Sequence, residues 1–256
     1  MSAPALRFDG KVALVTAGAA GIGMASARLF SAGGARVAIC DVDPAAGRAA
    51  IEELKRNGAD ALFIEADLSK TQQIEGVVRR VLSAYRNIDI LVNNAGGGRP
   101  GGSIVDQSEA DWDWTFDLCL KATWLFMRHV LPGMVAQGRG AIVNVSSLAG
   151  IRVAPNSSPA YAASKAGVVH LTRFAAVQYA AQGIRVNVVS PGLTATASVM
   201  NALSAEERTH IVSGLHAIPR LAEPEETAAT IAWLCSDAAP IVTGLNVPVD
   251  GGWSAR

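Results

Sequence analysis

Short unbroken apolar runs recur along the chain, each ending in a polar or glycine-containing turn and leading into a longer stretch of helical periodicity. The runs Lys11–Thr16, Arg36–Asp41, Ala61–Glu65, Ile88–Asn93, Ala141–Ser146, Arg185–Ser190 and Leu245–Val249 predict strands. Strands this continuously apolar are expected in a parallel sheet covered on both faces. The helical stretches between most of them predict right-handed crossovers and a doubly wound α/β fold, mainly parallel, of about seven strands with helices on both faces. Residues 1–256 are read as a single domain. Ligands in such a sheet bind beyond the carboxyl ends of the strands. Thr16–Gly23, Asp41, Asp67, Asn93–Gly96, Ser147 and Pro191-Gly192 all fall at such ends.

The rhythm breaks twice. Residues 96–102 are rich in glycine and follow a strand end, as a substrate-side loop would. From Leu193 to about Ala222, Met200, Leu203, Leu215 and Ile218 lie among polar residues, a pattern that fits a mobile amphipathic lid or an ordinary surface helix.

Composition removes several classes of partner. About half of the 256 residues are apolar, and 22 basic residues balance 22 acidic ones without long runs of either sign. This gives no electrostatic case for nucleic acid or an anionic membrane. Cys40, Cys119 and Cys235 are widely spaced and odd in number, which suggests neither a disulfide framework nor a zinc site and fits a reducing cytoplasm. Met1–Asp9 lacks the pattern of a signal peptide, and no apolar run is long enough to span a bilayer. His129, His170, His210 and His216 have no ligand spacing, so no metal is expected.

The candidate chemistry lies between Asn144 and Lys165. Tyr161 and Lys165 are four residues apart, on one face of a helix, where an ammonium near a phenol favours the ionised phenol. Such a tyrosine can exchange a proton with an alcohol or carbonyl oxygen, and Ser147 could hold that oxygen. Thr16–Gly23 offers close backbone approach and a helix N-terminus to a pyrophosphate, although Ala20 interrupts the G-x-G-x-x-G pattern. Asp41 ends the second strand, near the spacing expected of a ribose-binding carboxylate, while Asp43 is expected to cap the helix opened by Pro44. Together these features call for a nicotinamide-dependent oxidoreductase.

Thr16-Ala-Gly-Ala-Ala-Gly-Ile-Gly23, Asn93-Asn-Ala-Gly96, Tyr161-x-x-x-Lys165, Pro191-Gly192 and Asp250-Gly-Gly252 occur in the order and at the separations of the short-chain dehydrogenases/reductases, which the chain resembles from Val12 to Gly252. The resemblance implies a Rossmann-type fold with Tyr161 as acid/base, Ser147 on the substrate oxygen and Lys165 beside the tyrosine and the nicotinamide ribose. It implies a pyrophosphate site at Gly18, Gly21, Ile22 and Gly23, and an adenosine side at Asp67 with Leu68 and at Asn93 with Ala95 and Gly96. Pro191, Gly192, Thr194 and Thr196 would serve the nicotinamide side. It further implies that the helical stretch Glu109–Val135, with Trp112, Trp114, Trp124, Phe126 and Met127, joins the Tyr161 helix in the interface of a homotetramer or homodimer.

Two departures stand out. Ala17 replaces the first glycine of the turn and is accommodated if its φ is negative. Cys119 stands where the family has an asparagine on a bent helix, the bend freeing a carbonyl for a water relay. The leading expectation is an NAD-dependent dehydrogenase of a small secondary alcohol or ketone, with Asp41 selecting NAD. The alternatives are a regulator that binds NAD without turnover and an epimerase or dehydratase of the same fold. Leu148, Ile151, Val153 and Met200 suggest an apolar substrate wall, and Arg99 or Arg152 could meet a carboxylate.

Overall fold

The computed structural model describes residues 6–99, 103–154 and 157–256. In chain order it comprises β1 (Val12–Thr16), α1 (Gly21–Ala32), β2 (Arg36–Asp41), α2 (Pro44–Arg56), β3 (Ala61–Glu65), α3 (Ile74–Tyr85), β4 (Ile90–Asn93), α4 (Glu109–Phe116), α5 (Ala122–Gln137), β5 (Gly140–Val145), α6 (Pro159–Tyr179), β6 (Ile184–Pro191), α7 (Ala197–Ala202), α8 (Ala205–Leu215), α9 (Pro224–Cys235) and β7 (Asn246–Val249). The seven strands form one sheet in the order β3-β2-β1-β4-β5-β6-β7, and every pairing is parallel.

Side chains alternate across each strand, so each strand feeds two cores. Val12, Leu14, Ala38, Cys40, Leu91 and Ile142 point to the layer of α3, α5 and α6. Ala13, Val15, Ile39, Ile90, Val92 and Val143 point to the layer of α1, α2 and α9. Burial on both faces is why the strands carry no polar alternation. The strand order reverses at β1, which lies between β2 and β4, and the carboxyl ends of those strands open a crevice there.

The helix expected from Glu109 to Val135 is not continuous. One turn of π-helix, Asp117–Lys121, separates α4 from α5, and α5 runs on to Gln137 before Gly138 turns the chain at φ +65°. The extra residue in that turn is held by side chains. The Thr123 hydroxyl donates to the Cys119 carbonyl at 2.8 Å, and Leu120 occupies the space above Gly167 of α6, where a Cβ would stand 2.8 Å from its methyl.

Residues 193–222 leave β6 and return to α9 as a closed excursion. Thr194 and Ala222 form an isolated parallel bridge, with Ala195 N–H donating to the Ala222 carbonyl at 2.8 Å and Ala222 N–H to that of Leu193 at 3.1 Å. Within it, Ser204 and Glu207 form a reciprocal capping box at the start of α8. Of the glycine-rich loop, residues 100–102 lie outside the described residues.

Candidate active site

A cleft of about 820 Å³ lies beyond the carboxyl ends of β1, β4, β5 and β6 and is covered on one side by residues 193–211. Its first wall is the turn after β1. Thr16 ends the strand, and its hydroxyl oxygen accepts from the N–H groups of Asn94 and Ala95, both at 2.9 Å. The Asn94 amide donates to the carbonyls of Thr16 and Ala17 at 3.1 and 3.0 Å. The end of β4 therefore staples the glycine turn in place.

α1 starts at Gly21 after Ala20, with no side chain capping its free N–H groups. Gly21 (φ +51°) and Ile22 line the cleft, and a Cβ on Gly21 would stand 3.1 Å from the Thr196 methyl. An uncapped helix N-terminus in a narrow glycine cradle fits the pyrophosphate of a dinucleotide. Asp41 lines the same cleft at the end of β2, its carboxylate oriented by the N–H groups of Ala19 (3.1 Å) and Asp43 (3.2 Å). Asp43 caps α2, accepting from Ala45 and Ala46 at 2.8 and 3.0 Å.

The second wall joins β5 to α6. Ser147 follows β5 in extended conformation, and its Oγ accepts from Ala149 N–H at 3.1 Å. Ser158 caps α6, with Pro159 at its first position. Tyr161 and Lys165 follow one turn apart, and the Lys165 ammonium lies 5.7 Å from the centre of the Tyr161 ring. Lys165 is buried and donates to the Val145 carbonyl at 2.8 Å, while its own carbonyl accepts from the Ser146 hydroxyl at 2.8 Å. Gly150 permits this docking, since a Cβ there would meet the Lys165 carbonyl carbon at 2.7 Å. Ser146 is thus structural, and Ser147, Tyr161 and Lys165 share the cleft. Pro191, Gly192, Thr194 and Thr196 line its far side, and Gly96 lies so near Lys165 that a Cβ would stand 2.6 Å from the ammonium.

Several expected positions are elsewhere. Gly18 packs against Ile39 and spends its N–H on the Cys40 carbonyl (3.2 Å), and Gly23 lies against the Ala17 carbonyl, where a Cβ would stand 2.2 Å away. Neither lines the cleft. The Asp67 carboxylate turns to the Ser69 hydroxyl at 2.7 Å, a bond that holds its pKa below the usual carboxylate range. Leu68 and Ala95 are buried in the core. The Asn93 side chain is buried between β4 and β5, donating to Asn144 at 2.8 Å, so Asn94 is the asparagine at the cleft. Ala17 has φ +47°, so the negative φ expected of it is not found. Of the apolar wall, Leu148 lines the cleft, Val153 and Met200 are exposed and Ile151 packs beneath. Arg152 is taken up by the Ser254 carbonyl at 2.7 Å.

Cys119, buried in the π-turn, donates its S–H to the Gly97 carbonyl at 3.3 Å. It thereby holds the loop that lies against Lys165 and Tyr161. Sequence reasoning missed Thr16 and Asn94 as the staple of the turn and Trp253, from the Asp250-Gly-Gly end, as a cleft wall.

A family model described as enoyl-(acyl carrier protein) reductase matches residues 17–254. The chain is 42% identical to cis-4-hydroxycyclohexanecarboxylate dehydrogenase of Sinomonas cyclohexanicum over 97% of its length and 98% of that protein's. It is 36% identical to cyclopentanol dehydrogenase of Comamonas sp. over 98% and 99%. A 7α-hydroxysteroid dehydrogenase solved in complex with NADH and 7-oxo glycochenodeoxycholic acid superposes with a TM-score of 0.92 at 32% identity, covering 97% of this chain and 96% of that one. The all-parallel seven-stranded sheet, the motifs at its carboxyl ends and these relatives lead to one conclusion: the chain belongs to the short-chain dehydrogenase/reductase family.

Proposed function

We propose that the protein is an NAD-dependent oxidoreductase that moves hydride between a secondary alcohol or ketone carbon and the nicotinamide, with Tyr161 as acid/base. The observation that carries this reading is the convergence of Ser147, Tyr161 and Lys165 with the uncapped α1 turn and Asp41 on one cleft. The relatives named as dehydrogenases of ring alcohols support a small alicyclic secondary alcohol as substrate.

A bound nicotinamide supplies the hydride acceptor or donor. The chain's own residues manage the proton and the geometry. Tyr161 takes the hydroxyl proton as the alcohol is oxidised and returns it in the reverse direction. The Ser147 oxygen already accepts an N–H, so its own hydroxyl proton is available to the substrate oxygen. Lys165 spends one donor on Val145 and keeps two for the cofactor ribose and the tyrosine side. Asp41 accepts from the adenosine ribose and repels a 2′-phosphate, and residues 17–23 contain no lysine or arginine to offset that repulsion. Leu193, Val199 and Leu203 close the substrate side, which supports the reading of residues 193–222 as a lid. Cys119 keeps the bent turn of the family's asparagine position, so turnover is expected despite the change of side chain.

Trp124 on α5 and Phe174 and Val177 on α6 are exposed, which supports a homodimer or homotetramer joined through those helices. The three cysteines are free and buried, in keeping with a reducing cytoplasmic setting.

The test is a panel of cyclic, aromatic and aliphatic secondary alcohols with NAD and NADP, read by reduced-cofactor absorbance. Oxidation of at least one ring alcohol, with higher kcat/KM on NAD, is expected. Tyr161→Phe should lower turnover about 10²–10⁴-fold while NADH still binds. Preference for NADP would overturn the role of Asp41, and near-normal turnover by Tyr161→Phe would overturn the mechanism.

A further inference from the structure

We propose that Arg99 makes the substrate side of the cleft selective for a ring alcohol bearing a carboxylate away from its hydroxyl group. The inference rests on the cleft being the alcohol site described above. Among the described residues, the charged side chains lining it are Asp41, Arg99 and Lys165. Asp41 lies at the cofactor end of β2, and Lys165 is buried, donating to Val145 and, in the reading above, turned to the cofactor ribose. Arg99 is therefore the cation offered to a substrate.

Its position follows from the glycines before it. A Cβ on Gly97 would stand 3.8 Å from the Trp114 ring, and one on Gly98 would stand 3.2 Å from the Cβ of Tyr161. The Arg99 Cα is about 3.8 Å further along the chain, so its side chain starts beside the acid/base residue. The guanidinium lies over Trp114, 4.5 Å from the ring centroid. At that distance the cation is attracted by the ring's quadrupole, and a guanidinium presents its N–H groups in a planar fork that matches a carboxylate.

Among the described residues, none takes a hydrogen bond from those donors. The Asp111 carboxylate is 3.8 Å from Nε, beyond hydrogen-bond range, and its other oxygen accepts from the Ser108 hydroxyl at 2.8 Å. An exposed ion pair at that distance is weak, and a ligand carboxylate in direct contact would replace it. Arg152, the other arginine expected from the sequence to meet a carboxylate, donates to Ser254 and does not line the cleft. Among the described residues, small ring acids thus have Arg99 as the cation to meet, over the Trp114 ring and next to Tyr161.

The test compares cyclohexanecarboxylate with its primary amide by calorimetry, with and without NADH, on wild type, Arg99→Met and Arg99→Lys. In wild type the acid should bind at least about tenfold more tightly than the amide, a preference that Arg99→Met abolishes and Arg99→Lys partly restores. In turnover, Arg99→Met should lower kcat/KM for hydroxycyclohexanecarboxylate at least about tenfold more than for its amide. Equal affinity for acid and amide, no binding of the acid, or unchanged acid affinity in Arg99→Met would overturn the proposal. Absence of turnover on every alcohol, with the acid preference intact, would overturn the dehydrogenase reading and leave this one standing.

Discussion

Ala17 holds its methyl group at φ +47°, a backbone region that L side chains other than asparagine and aspartate rarely adopt. The conformation persists because its carbonyl is bonded by Asn94 and lies against Gly23, so the turn dictates φ and the alanine bears the strain. Ala17→Gly is accordingly expected to stabilise the fold by about 1 kcal/mol, raising the thermal midpoint by about 2–4 °C. A lower midpoint by calorimetry would show that the lost chain stiffness outweighs the relieved strain. The same scale shows what the sequence could carry. Tyr161, Lys165, Ser147 and Asp41 were legible because helix period and strand ends determine where they point. Asn93 was assigned to the cleft, yet adjacent strand residues face opposite ways, and the alternation that put Asn93 beside Asn144 left the cleft to Asn94. Gly18, Gly23 and Asp67 stand outside the cleft lining, because a glycine's packing partner and a carboxylate's nearest donor are tertiary facts.

At the scale of elements, residues 193–222 are tied to α9 by charge. The Glu226 carboxylate accepts from both Arg220 terminal nitrogens, at 2.7 and 2.6 Å, and from Glu223 N–H at 2.8 Å. The Arg220 bonds, with the Glu223 N–H, hold its pKa at about 2 against the ordinary 4.5. The folded value lies below the unfolded one, so the stabilisation is complete above pH 4.5 and is lost as pH falls toward 2. Glu226→Gln should therefore lower the thermal midpoint near neutrality and flatten its dependence on pH across that interval. A variant whose profile parallels wild type would rule out the tether. The bend at Cys119 was implied by the family resemblance alone, since the helical period does not reveal it. One inserted residue shifts the apolar pattern of Glu109–Val135 too little to register, and what stabilises it, Leu120 over Gly167, joins residues 47 apart in the chain.

For the molecule as a whole, strands buried on both faces made the sheet the most legible feature, and all seven lie within two residues of the expected bounds at their starts and one at their ends. Oligomerisation depends on outward faces that a single chain leaves bare. Phe174 is 64% and Val177 85% exposed on α6, on the helix proposed above to form the interface. Light scattering should give a particle of two or four chains, and replacing both residues with Asp should yield monomers with unchanged circular dichroism. A monomeric wild type would refute the interface. The bridge between Thr194 and Ala222 reaches further than stability. Because the two ends of that excursion already touch, the stretch between them behaves as an interchangeable cassette: segments of other lengths can be grafted there at a closure cost that grows only slowly with length. Substrate range can thus be re-engineered, and can have diverged in nature, while the sheet and the residues proposed to move the proton stay as they are.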